Sequence, residues 1–186
     1  MGHWHRILWL SLLVLSCNKA FYGDYFPLKE GKWWKYEKEG RVLRIEVWSE
    51  QDSIYQVLFG NEFREFVKLR DAVLEKKEIR FFHEGDVYNA GTCIFTFLRL
   101  PLMDEDRWKE EISLDVGYPP VPFTLERESQ IMWVGEFNGY NDVYMLVITE
   151  RESLPSSTEE RHDTLYLAPD VGIVEFNGWG LTEWGD

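Results

Sequence analysis

The chain has 186 residues, the size of one domain able to bury about 70% of its unfolded surface without metal or disulfide support. Forty-five per cent apolar and 16% aromatic residues exclude a disordered chain and lean toward strands, where flat and β-branched side chains pack well. A net charge of −13 argues against nucleic acid as a partner, and two cysteines exclude a disulfide scaffold or a four-cysteine zinc site.

Met1 to Arg6 carries the start amine and Arg6, and an uncharged run follows from Ile7 to Ser16. As a helix this run would rise about 15 Å, half of a hydrocarbon core of roughly 30 Å, so it is too short for a permanent span. The layout is that of a secretory signal. Val14-Leu15-Ser16-Cys17 resembles the lipobox of bacterial lipoproteins. That resemblance implies cleavage between Ser16 and Cys17, a diacylglyceryl group on the Cys17 thiol and acylation of the new amine. Two or more acyl chains give stable anchoring where one does not. An ordinary signal cut after Ala20 and an uncleaved stub are the alternatives. The expected organisation is a signal peptide over 1–16, a lipidated Cys with a short tether over 17–25, and one β-rich domain over 26–186. Without residues 1–16, which hold one Arg and no acid, the net charge is −14. Anionic headgroups would repel that surface, so the membrane partner is met through the lipid alone.

The remaining chain reads as short strands. Lys32–Lys38 is aromatic-rich and ends at Glu39-Gly40. In Arg41–Glu50, Ile45 and Val47 share one face while Arg44, Glu46 and Trp48 share the other. Ile54–Phe59 stops at Gly60-Asn61. Residues 63–79 carry near-helical apolar spacing, yet the β pattern on both sides favours two strands broken at Asp71-Ala72. Phe81–Leu102 follows, with a break expected near Asn89-Ala90-Gly91. Next come a stiff loop from Gly117 to Pro122, a strand over Phe123–Val134, and a strand over Asp142–Arg151. A polar loop spans Leu154–Glu160, and Asp163–Ala168 and Gly172–Phe176 complete the set. Asn138-Gly139 and Asn177-Gly178 supply the positive φ of tight hairpin turns. The expected fold is mainly β: a single antiparallel, strongly curled sheet or partly open barrel with at most one or two short helices.

Three segments together are similar to a group of bacterial lipoproteins of unassigned activity. Tyr25-Phe26-Pro27-Leu28-Lys29-Glu30-Gly31-Lys32-Trp33-Trp34-Lys35-Tyr36 resembles the group's opening "YFPL..G..W.Y". Leu98–Trp108 (LRLPLMDEDRW) resembles its "lPL..G..W", and Leu165–Phe176 (LYLAPDVGIVEF) its "yyApGVGlVk". The resemblance implies a β-rich, secreted or lipid-anchored domain and no particular activity. Glu105 and Asp170 stand where the group has Gly. A left-handed backbone would strain Glu105, so that turn is expected to be built differently, whereas Asp170 tolerates the conformation.

Chemistry is sparse. His83 and His162 have no partner at metal-ligand spacing. The oxygen clusters Asp104-Glu105-Asp106 and Glu136–Asp142 lack a calcium-loop pattern. No GxSxG elbow, P-loop or dinucleotide fingerprint occurs. Cys93, in an apolar stretch, reads as a core residue. No residue is assigned as catalytic or metal-ligating, and no cofactor is implied. Trp33, Trp34, Trp108 and Trp133 are the candidate ligand-binding residues, because a curled sheet lined with aromatics can hold an apolar molecule. The leading expectation is a lipid-anchored, non-enzymatic cell-envelope protein that binds an envelope partner or an apolar ligand. It would sit on the cell membrane or outer membrane, at the periplasmic side or cell surface. The alternatives are a lipid-anchored hydrolase with a carboxylate-lined cleft and a purely structural lipoprotein.

Overall fold

A computed structural model describes residues 23–83, 86–117 and 120–186. Ser16, Cys17, the signal segment and most of the tether lie outside the described residues. The described residues contain no helix and form one antiparallel sheet. Its strands are β1 (Trp33–Lys38), β2 (Arg41–Gln51), β3 (Ile54–Phe59), β4 (Glu62–Lys68), β5 (Ala72–His83), β6 (Asp86–Arg99), β7 (Arg107–Val116), β8 (Val121–Phe137), β9 (Tyr140–Leu154), β10 (Ser157–Ala168), β11 (Gly172–Phe176) and β12 (Trp179–Gly185). The order β6-β5-β4-β3-β2-β1-β12-β11-β10-β9-β8-β7 curls the sheet into a nearly closed barrel. The first and last strands pair inside the sheet, Trp34 opposite Trp184. The unsealed seam falls between β6 and β7, which are consecutive in the chain. The expected curled sheet or partly open barrel is therefore the observed fold.

The seam is stitched by side chains. The Thr96 amide and hydroxyl donate to the Glu110 carboxylate at 2.8 and 3.0 Å, and the Trp108 indole N–H donates to the Thr96 carbonyl at 2.9 Å. Both backbone groups of this edge residue are satisfied without a ladder, so at Thr96 the edge offers another chain nothing to pair with.

Turn chemistry sets the hairpins. Glu39-Gly40, Asn138-Gly139 and Asn177-Gly178 each carry two successive positive φ values, as a two-residue primed turn needs. The segment at 63–79 is two strands, β4 and β5, separated by Leu69–Asp71. The break expected at Asn89-Ala90-Gly91 is absent. Strand β6 runs through it with a register shift opposite Ile79/Arg80, and Gly91 sits at φ 123°. The polar loop at 154–160 shrinks to Pro155-Ser156, because β9 and β10 continue their ladder to Leu154 opposite Ser157. Two strands, β7 and β12, had no counterpart in the sequence reading. Glu105 does adopt a positive φ of 62°, so the turn keeps the backbone a glycine would favour, and Asp170 does the same at 63°.

Strand lengths make the barrel lopsided. β8 and β9 have 17 and 15 residues, whereas β1, β3 and β11 have 6, 6 and 5. At the end where β5 stops, which also holds the β9–β10 turn, only the long strands continue. At the opposite end the segment before β1 folds inward as a plug. Tyr25, Phe26 and Leu28 are buried, and Phe26 packs against Phe66 and Phe97 at centroid distances of 5.2 and 5.0 Å. Asp24 holds the plug by accepting from Lys68 and exchanging hydrogen bonds with Asp170, and the Tyr25 hydroxyl donates to the Asp142 carbonyl. Residues 24 and 25, placed in the tether by the sequence reading, are thus packed into the domain.

Two apolar clusters fill the interior. The larger, around Trp34, Tyr36, Ile45, Val57, Phe66, Leu98, Ile131 and Leu146, occupies the plugged half. The smaller, made of Ile79, Cys93, Phe95, Val116, Phe123 and Leu125, lies between the long strands.

Candidate functional site

Between these clusters the apolar alternation of three strands is interrupted by charge. On β8 the inward residues run Phe123, Leu125, Arg127, Ser129, Ile131; on β9 they run Tyr144, Leu146, Ile148, Glu150. On β5, Glu75 and Lys77 follow Val73 on the inward parity. Pleating places these side chains together (period two along each strand), and Arg127 becomes only 3% exposed.

The Arg127 guanidinium donates from Nε to Glu150 Oε1 at 2.9 Å and lies 2.8 Å from Glu75 Oε2 through Nη2. Its plane sits 4.5 Å from the Phe95 ring centroid. Glu150 also accepts from Lys77 at 2.6 Å and from Arg161 at 3.0 Å on Oε2. Arg64 stands 3.5 Å from Glu75 Oε1. Burial alone would raise the Glu150 pKa, but the charges of Arg127 and Lys77 and their hydrogen bonds overcome it and bring it down to about 2. Nη1 of Arg127 is buried and has no acceptor among the described residues.

This cluster forms one wall of a cavity of about 750 Å³. Phe59, Phe97, Ile148, Leu165, Ile173 and Phe176 supply its apolar lining, and Asn61, Glu62, Glu78, Asp163 and Asn177 are among its further polar lining residues. The mouth exists because neighbouring strands stop early. β4 pairs with β5 only across Val73–Lys76, and β11 pairs with β10 only across Leu165–Ala168. Beyond those points β5 and β10 each lack a partner on one side, and the interior opens between the β3–β4 and β11–β12 turns.

The four candidate tryptophans are dispersed, and none lines this cavity. Trp34 is buried beneath the plug, its indole N–H donating to the Val171 carbonyl at 2.6 Å. Trp33 points to the opposite face, under the Arg44 guanidinium at 4.7 Å. Trp108 seals the seam. Trp133 is 51% exposed at the plugged end, where its amide is held by Asp104. Cys93 is buried in the smaller cluster, and desolvation raises its thiol pKa against the pull of Lys77 and Arg127. His162 lies on the rim of β10, between Thr149 and Glu160. The His83 side chain lies outside the described atoms.

Arg127, Glu150 and Glu75 do not stand out in the sequence among its many acids and bases. A signal was present: each is a charged residue on the apolar parity of a strand. No family model matches the chain, and no match was found among curated proteins or solved structures.

Proposed function

We propose that this protein is a lipid-anchored envelope binding module that holds a small amphipathic molecule inside its curled sheet. The supporting observation is the cavity, of a volume that suits a small ligand, lined by both apolar side chains and convergent polar groups. A hydrolytic reading of the same carboxylates is weaker. A general acid needs a raised pKa, whereas Glu150 is held near 2 and both its oxygens are occupied by cations.

The proposed anchor fits this geometry. The described chain leaves the plugged end at Gly23, six residues after Cys17, a reach of at most about 20 Å. The mouth lies at the other end, so the cavity faces away from the membrane that holds the lipid. Native mass spectrometry of the mature protein tests the binding reading: a co-purified adduct of a few hundred daltons is expected, and a bare apo mass that stays bare after incubation with a lipid extract would sink it. For the anchor, Cys17→Ser should release the protein from membranes and abolish palmitate labelling; persistence of both refutes it.

A further inference from the structure

The cavity wall has its donors and acceptors out of balance. Each of the four oxygens of Glu75 and Glu150 already faces a cation: Glu75 Oε1 faces Arg64, Glu75 Oε2 and Glu150 Oε1 face Arg127, and Glu150 Oε2 faces Lys77 and Arg161. The cations are not used up in return. An arginine carries five N–H donors and a lysine three. Arg64 and Arg161 spend few of theirs here, and their side chains are 39% and 60% exposed at the mouth. The nearest further acids are Asp163, 3.6 Å from Arg161, and Glu152, 4.0 Å from Lys77, both beyond normal hydrogen-bond length. Deeper in, Nη1 of Arg127 has no acceptor among the described residues. A newcomer beside Arg64 and Arg161 therefore meets unused N–H donors, with Asp163 and the lining acids Glu62, Glu65 and Glu78 as the carboxylates that compete for them.

We infer that the cavity selects an amphipathic anion, a carboxylate or phosphate head on an apolar tail. The head is held by Arg64 and Arg161, and the tail lies along Phe59, Phe97, Ile148, Leu165 and Phe176. Guanidinium groups suit such heads because they offer paired N–H donors to two oxygens at once. The protein's net charge of −13 works against long-range capture of anions, so selection rests on these short contacts and persists at physiological salt. This inference rests on the binding reading above and adds the sign of the ligand's charge.

Four probes with the same ten-carbon tail separate the two claims: decanoic acid, decyl phosphate, decanol and decylamine, titrated calorimetrically at pH 7 into the mature protein. At least one of the two anions is expected to bind ten-fold or more tightly than decanol and decylamine, and which anion wins identifies the head. The double variant Arg64→Gln/Arg161→Gln should lose that ten-fold advantage while binding decanol as before. Both positions are partly exposed and the direct Arg127–Glu150 pair stays in place, so the variant is expected to fold with a somewhat lower Tm, and a cooperative thermal transition with a native β-sheet circular dichroism spectrum verifies the fold. Decanol or decylamine binding as tightly as the anions overturns the inference and leaves the cavity reading standing. No binding by any of the four overturns both.

Discussion

The two halves of the barrel solve the problem of a filled interior in opposite ways. The plugged half closes its ladder through β1 and β12 and fills with Phe66, Phe97, Ile131 and Leu146, using the Tyr25–Leu28 segment as a stopper. The open half loses its short strands and brings Glu75, Arg127 and Glu150 together in the interior from β5, β8 and β9, close to the two sheet edges. Apolar packing is local and non-directional, so a side chain there is replaceable only by one of similar volume. Buried charges are a unit, in which each member is tolerable only while the others are present. The difference explains how one sheet can be filled at one end and keep a cavity at the other.

The largest expected effects break each half in its own way. Arg127→Met should cost about 3–5 kcal/mol in urea unfolding, because two buried carboxylates lose their shared cation. Adding Glu75→Leu and Glu150→Leu should recover most of that loss, short of the part that leaves Lys77 without Glu150. Phe66→Ala should cost a similar 3–5 kcal/mol from the cavity it leaves, and no charge change elsewhere should rescue it. If the triple variant stays as unstable as Arg127→Met, the two halves are not held together differently.

Acid should attack the open half first. The folded Glu150 pKa of about 2 lies below its unfolded value near 4.3, so its contribution is complete above about pH 4.3 and is lost as pH falls through 2. That contribution is about 3 kcal/mol. Glu150→Gln should therefore be less stable at pH 7, with a shallower loss of stability between pH 5 and 2. Equal acid slopes for the two proteins would contradict this assignment.

The seam runs along both halves and should respond more mildly. Glu110→Ala removes two hydrogen bonds to Thr96 and should cost about 1–3 kcal/mol, with faster hydrogen exchange at the Thr96 amide. Unchanged exchange there would mean that the edges are sealed by other contacts. Smallest is Glu105→Gly, at the β6–β7 connection of the plugged end. It relieves a non-glycine residue at φ 62° and should stabilise by about 1 kcal/mol, read as a small rise in Tm.

Much of the sheet was legible because alternation is written into each strand. Ile45 and Val47 turned inward and Trp48 outward as their parity required, and Asn138-Gly139 and Asn177-Gly178 made the turns their φ freedom allows. Strand β7 was overlooked because Glu110 takes one of its inward positions, between Trp108 and Ile112, and so masks the alternation. Strand β12 was overlooked because glycine at 180 and 185 weakens any strand signal, and the pairing with β1 holds it.

What the sequence determined alone was ten of the twelve strands, their faces and the hairpin turns, since these depend on neighbours within a few residues. Only the tertiary structure decided that Glu75, Arg127 and Glu150 meet, that Trp33, Trp34, Trp108 and Trp133 stay apart, and that short strands leave a mouth beside long ones. Those outcomes depend on sheet curvature and on which strand ends lie opposite each other across the barrel. The energy of a buried charge is likewise defined by partners far away in sequence, and no local pattern encodes them.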